Sequence, residues 1–174
     1  FDLVAGRLKL ALSRPVRGLI ALALVSLAAT LVLRGLWGGP WLMEIKALGR
    51  IEAGNALGLF TLALIVGPVL MGIFDRTIGR RRELLAATHS FVALSLVLMA
   101  AGAPHYPLSE LFGVTALPPL FDGVLLVLIG LAISSQPMLF GMAQQLAGAQ
   151  NAGKALSAIN LAFFLGTALM QSAT

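Results

Sequence analysis

The chain has 174 residues, 59% of them hydrophobic and only 11% charged, a net charge of +5 and no cysteine. Soluble domains carry about 25% charged residues, and disorder requires low hydrophobicity with high net charge, so both classes are excluded and an all-α integral membrane protein is expected. Without cysteine there is no disulfide, no thiolate metal site and no cysteine nucleophile.

A helix that crosses roughly 30 Å of hydrocarbon needs about 20 mostly apolar residues, and five windows of this kind follow one another along the chain. Residues 1–17 precede them as an amphipathic cytoplasmic lead-in, where Phe1, Leu3, Val4 and Leu8 accompany Arg7, Lys9 and Arg14, which suit lipid headgroups. The first span is expected over about 18–43. Within it Ser26, Thr30, Arg34, Trp37 and Trp41 recur at offsets of four, four, three and four, which places them on one helical face. Polar side chains are costly in lipid and turn to the bundle interior or to water, so this face is a candidate cavity wall. Arg34 is the one formal charge inside a span. It either binds an anionic group, of a substrate or of another part of the bundle, or snorkels to the nearer interface. Trp37 and Trp41 fit an interfacial aromatic belt.

The second span is expected over 53–74 and the third over 84–103, where Pro104 and Pro107 end it. The third has few polar residues, His89, Ser90 and Ser95 among them, and suits a lipid-facing position. The fourth is expected over about 120–145. Its segment Ser134-Ser135-Gln136-Pro137 interrupts an apolar run, and such interruptions either border binding sites or are kinks satisfied by neighbouring groups. Ser134 and Gln136 therefore join the candidate cavity residues. After a polar turn at 148–153 the fifth span is expected over 155–173. Its residues Asn160, Phe164, Thr167 and Gln171, at offsets of four, three and four, form a second candidate wall, while Ala158, Ala162 and Gly166 make a small-residue ridge for close packing.

Lysine and arginine set orientation, because they are retained on the cytoplasmic side. Arg7, Lys9, Arg14 and Arg17 lead the first span, Arg76, Arg80, Arg81 and Arg82 join the second to the third, and Lys154 precedes the fifth. The alternate connections hold Arg34, Lys46 and Arg50, and then no basic residue over 103–119. The leading segment is thus expected to be cytoplasmic, and the positive charge is a topology device; the lipid bilayer and a small-molecule substrate are expected partners, and nucleic acid is not. Glu44, Glu52, Glu110 and Asp122 flank the outer ends of the spans and Asp75 and Glu83 the inner ends, so no proton-coupling carboxylate is expected deep in a span. His89 and His105 are read as structural. No cluster of nucleophile, base or metal ligands is present in the pattern, so no enzyme, cofactor or metal is expected.

The most specific segment is GPVLMGIFDRTIGRRRE, residues 67–83. Asp75 at the end of a helix faces the negative pole of the macrodipole and must be held there; Arg76 and Arg80 are near enough in sequence to do so. Gly79 permits a left-handed turn, and Glu83 meets the positive pole of the next helix. Gly72, Asp75, Arg76, Gly79, Arg80 and Arg81 resemble the conserved cytoplasmic loop of the major facilitator superfamily of secondary transporters. The departure is one extra residue, since Thr77 and Ile78 stand where the common form has one. RGLWGGPWLM (34–43) with Gly54-Asn55, and KALSAINLAFFLGTALMQ (154–171), resemble the first-to-second connection and the fifth helix of a transporter half.

The resemblance implies five helices of a six-helix half-bundle, the C-terminal half being favoured, with residues 1–15 as the tail of an inter-half linker. It implies that the other half and a final helix are partners, in a multi-pass protein of the plasma or inner membrane. It also implies alternating access, with the Asp-Arg loop as a latch on the cytoplasmic side. A channel or a non-transporting membrane scaffold subunit is the alternative.

Overall fold

The computed structural model describes residues 14–172, and all regular structure among them is helical. The lead-in expected over 1–17 lies outside the described residues up to 13. Its last four residues belong to the first helix, α1 (Arg14–Val32). Pro15 is tolerated there because a first-turn N–H has no intrahelical partner anyway. The helical run then changes gauge. Leu33–Trp37 and Trp41–Ile45 are wide π turns on either side of α2 (Gly38–Pro40). The run closes at Lys46 and Ala47, where the Leu48 N–H donates to Leu42 O at 2.9 Å. Ala47 holds φ +55° at this turn, a left-handed conformation that glycine adopts without penalty and alanine does not.

The second helix of full length, α3 (Arg50–Ile78), starts with Glu52 accepting from the Gly49 N–H at 3.0 Å and stops at Gly79. Two residues later α4 (Arg81–Ala101) begins. A loop over 102–118 contains the single-turn α5 (Pro107–Leu111) and leads into α6 (Pro119–Ile133). The expected fourth span is thus two helices, since Ser134–Gln136 form a turn before α7 (Pro137–Ala147). Pro137 opens α7, the helical position where its missing N–H costs least. A 3-10 turn (Ala149–Asn151) and α8 (Ala152–Ser172) complete the described chain. Among the described residues five stretches are long and apolar enough to cross a membrane: Val16–Ile45, Arg50–Ile78, Arg81–Ala101, Pro119–Ala147 and Ala149–Ser172.

The helices group into two compact units, one of Leu33–Ser134 and one of 1–32 with 135–174. The chain crosses between them at Val32–Leu33 and Ser134–Ser135, both departures from regular α-helix. In the Leu33–Ser134 unit α6 packs on α3 and α4, burying Phe60, Leu85, Leu126 and Ile129. Glycines set the α3–α6 separation: a Cβ on Gly130 would lie 2.9 Å from Phe60 O, and one on Gly67 would lie 2.3 Å from Ser134 Oγ. In the other unit α8 packs on α1 and α7. Here Gly166 lets α8 touch α1 so closely that a Cβ would lie 1.7 Å from Leu24 O, with Ala162 buried one turn earlier. The small-residue ridge expected on the fifth span is this contact. Phe140 and Phe163 meet edge to face at 5.5 Å beside it.

Candidate functional site

The Asp-Arg loop folds as a helix end, a left-handed glycine and a helix start. Gly79 has φ +65° and its N–H donates to Asp75 O at 3.1 Å, the turn expected of this glycine, and Glu83 lies in the first turn of α4. The partner of Asp75 differs from the expectation. Arg81, not Arg76 or Arg80, holds it: Arg81 Nε donates to Asp75 Oδ1 at 2.9 Å and the Arg81 Nη2 donates to Oδ2, a forked pair. The left-handed turn explains the exchange, because reversing the chain at Gly79 brings the first residue of α4 back against the last turn of α3. Arg80 instead pairs with Glu83 at 3.1 Å, both exposed, and exposed Arg76 pairs with no acid among the described residues. Gly72 is half-buried with open space around it.

The candidate cavity residues separate into different environments. In the unit of 1–32 and 135–174, Ser26 and Thr30 are buried, Thr30 Oγ1 donates to Ser26 O at 3.1 Å, and Gln136 Nε2 donates to Thr30 Oγ1 at 3.2 Å. Three of the expected residues, over 100 positions apart in two cases, thus form one polar chain between α1 and the start of α7. Along α8, Asn160, Phe164 and Gln171 are exposed, whereas Thr167 is buried and donates back to Phe163 O at 2.9 Å. Of the four residues of this stripe, Thr167 alone is turned into the packing.

In the Leu33–Ser134 unit, Ser134 Oγ donates to Gly130 O at 2.7 Å, which covers a carbonyl of α6 next to the chain turn. Trp37 and Trp41 line one apolar recess together with Leu33, Leu96, Met99 and Leu126. Arg34 is not among its lining residues; it is exposed and has no ion pair among the described residues. Helical spacing put Arg34 on the tryptophan face, and the wide turn over Leu33–Trp37 replaces it there with Leu33.

The most enclosed polar group in this unit was legible only as scattered flanking residues. Lys46 and Asp122, with side chains 1% and 0% exposed, form an ion pair at 3.0 Å. Lys46 Nζ also donates to Gly102 O at 2.7 Å and Leu117 O at 3.3 Å, and Trp41 Nε1 donates to Asp122 Oδ1 at 2.8 Å. Trp41 is half-buried and tied to a carboxylate, a partner that its expected place in an interfacial belt did not name. Asp122 flanks its helix as expected, in the first turn of α6 at the favourable pole, and is fully buried there. The sequence signal was one lysine and one aspartate bordering otherwise apolar spans, 76 residues apart, with nothing local to pair them.

No group of three or more metal-ligating side chains occurs among the described residues. Neither a protein-family model, nor a curated protein, nor a solved structure matches the chain.

Proposed function

We propose that this chain is part of a multi-pass secondary transporter of the major facilitator type, moving a small solute by alternating access. The observation that carries the reading is the 72–83 segment. Its resemblance to the transporter loop coincides with a forked Asp75–Arg81 pair across a left-handed Gly79, a contact that is only partly buried and so can be exchanged. In this reading the loop is cytoplasmic and works as a latch. Arg81 holds Asp75 in one state, and exposed Arg76 and Arg82 on either side of the pair are available to a neighbouring helix or to anionic headgroups. Ser26, Thr30 and Gln136 support the solute path from inside their unit, since polar side chains turned into a bundle of apolar helices are costly and are kept where function needs them.

The test is solute flux in proteoliposomes of the full-length protein that carries this sequence. Saturable counterflow, lost in Arg81→Gln and partly kept in Arg81→Lys, supports the reading, because lysine keeps the charge but not the fork. Passive conductance would make the protein a channel, and absence of flux a scaffold. Unchanged counterflow in Arg34→Gln would remove Arg34 from the substrate site.

A further inference from the structure

We propose that the 102–118 loop lies on the bilayer surface, with Leu111, Phe112 and Val114 inserted at the boundary between headgroups and acyl chains. The inference rests on the membrane reading given above and adds a lipid contact to it.

The loop's level is fixed by the buried ammonium. Lys46 caps the helical run of the first candidate span, Gly102 is the C-cap residue of α4, and Leu117 O and Asp122 belong to the approach and first turn of α6. All of them meet at Lys46 Nζ, so three candidate spans end at one point. The loop's stem is closed there as well, by the Leu117 N–H donating to Gly102 O at 3.1 Å. A segment tied to three span ends sits where the hydrocarbon stops.

The loop's inside and outside are equally fixed. Ser109 is fully buried, its Oγ 2.8 Å from Ala103 O and accepting from the Tyr106 N–H at 3.2 Å. With Ser109 turned in, α5 leaves Leu111 77% and Phe112 66% exposed, and Val114 is exposed two residues later. Removing such large apolar side chains from water is favourable in proportion to the apolar area covered. The loop has no lysine or arginine to keep it in water or to dock on an acidic surface. Two residues beyond it, Leu120, Val124 and Leu128 begin an exposed apolar stripe at a spacing of four along α6, the pattern of a lipid-facing helix side. A lipid surface continues from that stripe onto the loop, whereas a protein partner would have to begin at the same boundary.

These 174 residues hold no cysteine, so in the full-length protein, with any cysteine elsewhere replaced by serine, single-cysteine variants can be labelled at one position each. Phe112→Cys, Glu110→Cys and Val97→Cys would each carry a polarity-sensitive fluorophore in phosphatidylcholine nanodiscs. Quenching by brominated acyl chains would be compared with quenching by aqueous iodide. Glu110 is the exposed polar neighbour and Val97 an exposed position within α4. The expected result is blue-shifted emission with loss of signal to bromolipid at residues 112 and 97, and iodide quenching at 110 alone. Iodide quenching at 112 with bromolipid quenching kept at 97 would overturn the loop contact and leave the membrane reading intact. Protection of 112 from both quenchers would overturn it in favour of a protein cover. Iodide quenching at 97 would overturn both readings.

Discussion

Two carboxylate–cation pairs of the Leu33–Ser134 unit use the same chemistry in opposite surroundings. Asp75 and Arg81 meet with side chains 16% and 33% exposed, while Lys46 and Asp122 are sealed from solvent. Water beside the first pair solvates each partner when the contact breaks, so the pair can alternate between positions at small cost. The second has no such substitute: its charges are desolvated, and separating them strands one inside the protein. A forked surface pair therefore suits a moving contact, and a buried pair bonded to two carbonyls and an indole suits a fixed one.

The sharpest way to break this contrast is Lys46→Met, which leaves Asp122 buried without a counter-charge. It should cost about 3–5 kcal/mol of stability, measured as the unfolding midpoint in mixed detergent and SDS; a loss near that of a surface pair would dissolve the distinction. Adding Asp122→Leu should recover part of that loss. The double variant should end about 1–3 kcal/mol below the unsubstituted protein, because the Trp41 N–H and the carbonyls of Gly102 and Leu117 lose partners, and the same titration reports it.

Ala47→Gly should gain about 1 kcal/mol by relieving the left-handed residue beside Lys46, raising the same midpoint. Arg81→Gln should change stability by about 1 kcal/mol or less yet abolish counterflow; a stable protein with normal flux would show that the fork is not a latch. The smallest effect is expected for Arg80→Gln, below about 0.5 kcal/mol, with any difference vanishing at high salt as screening removes the exposed Glu83 contact.

Much of the arginine-rich end was legible in the sequence because its physics is local. Gly79 between Ile78 and Arg80 marks a left-handed helix end, and Glu83 marks the next helix start. Which arginine would hold Asp75 was not legible, since sequence distance favours Arg76 and Arg80 while the turn delivers Arg81. The candidate cavity residues show the same limit. Ser26, Thr30 and Gln136 were identifiable as polar residues in apolar helices, but their hydrogen-bonded chain depends on which faces of α1 and α7 are turned inward. Thr167 and Arg34 show it in two ways: packing covers Thr167 while its stripe neighbours stay exposed, and a π turn, which carries no clear local signature, takes Arg34 off the tryptophan face.

The sequence by itself determined that the chain is helical and apolar, where five stretches long and apolar enough to cross a membrane run, which connections carry the basic charge, and where proline and glycine break the helices. These follow from runs of neighbouring residues, whose helical periodicity and solvation act over one or two turns. Only the tertiary structure decided that Lys46, Trp41 and Asp122 close on one another and gather three helix ends. That contact joins residues 76 apart, and its energy comes from removing water around them, a condition that exists only once the helices have packed.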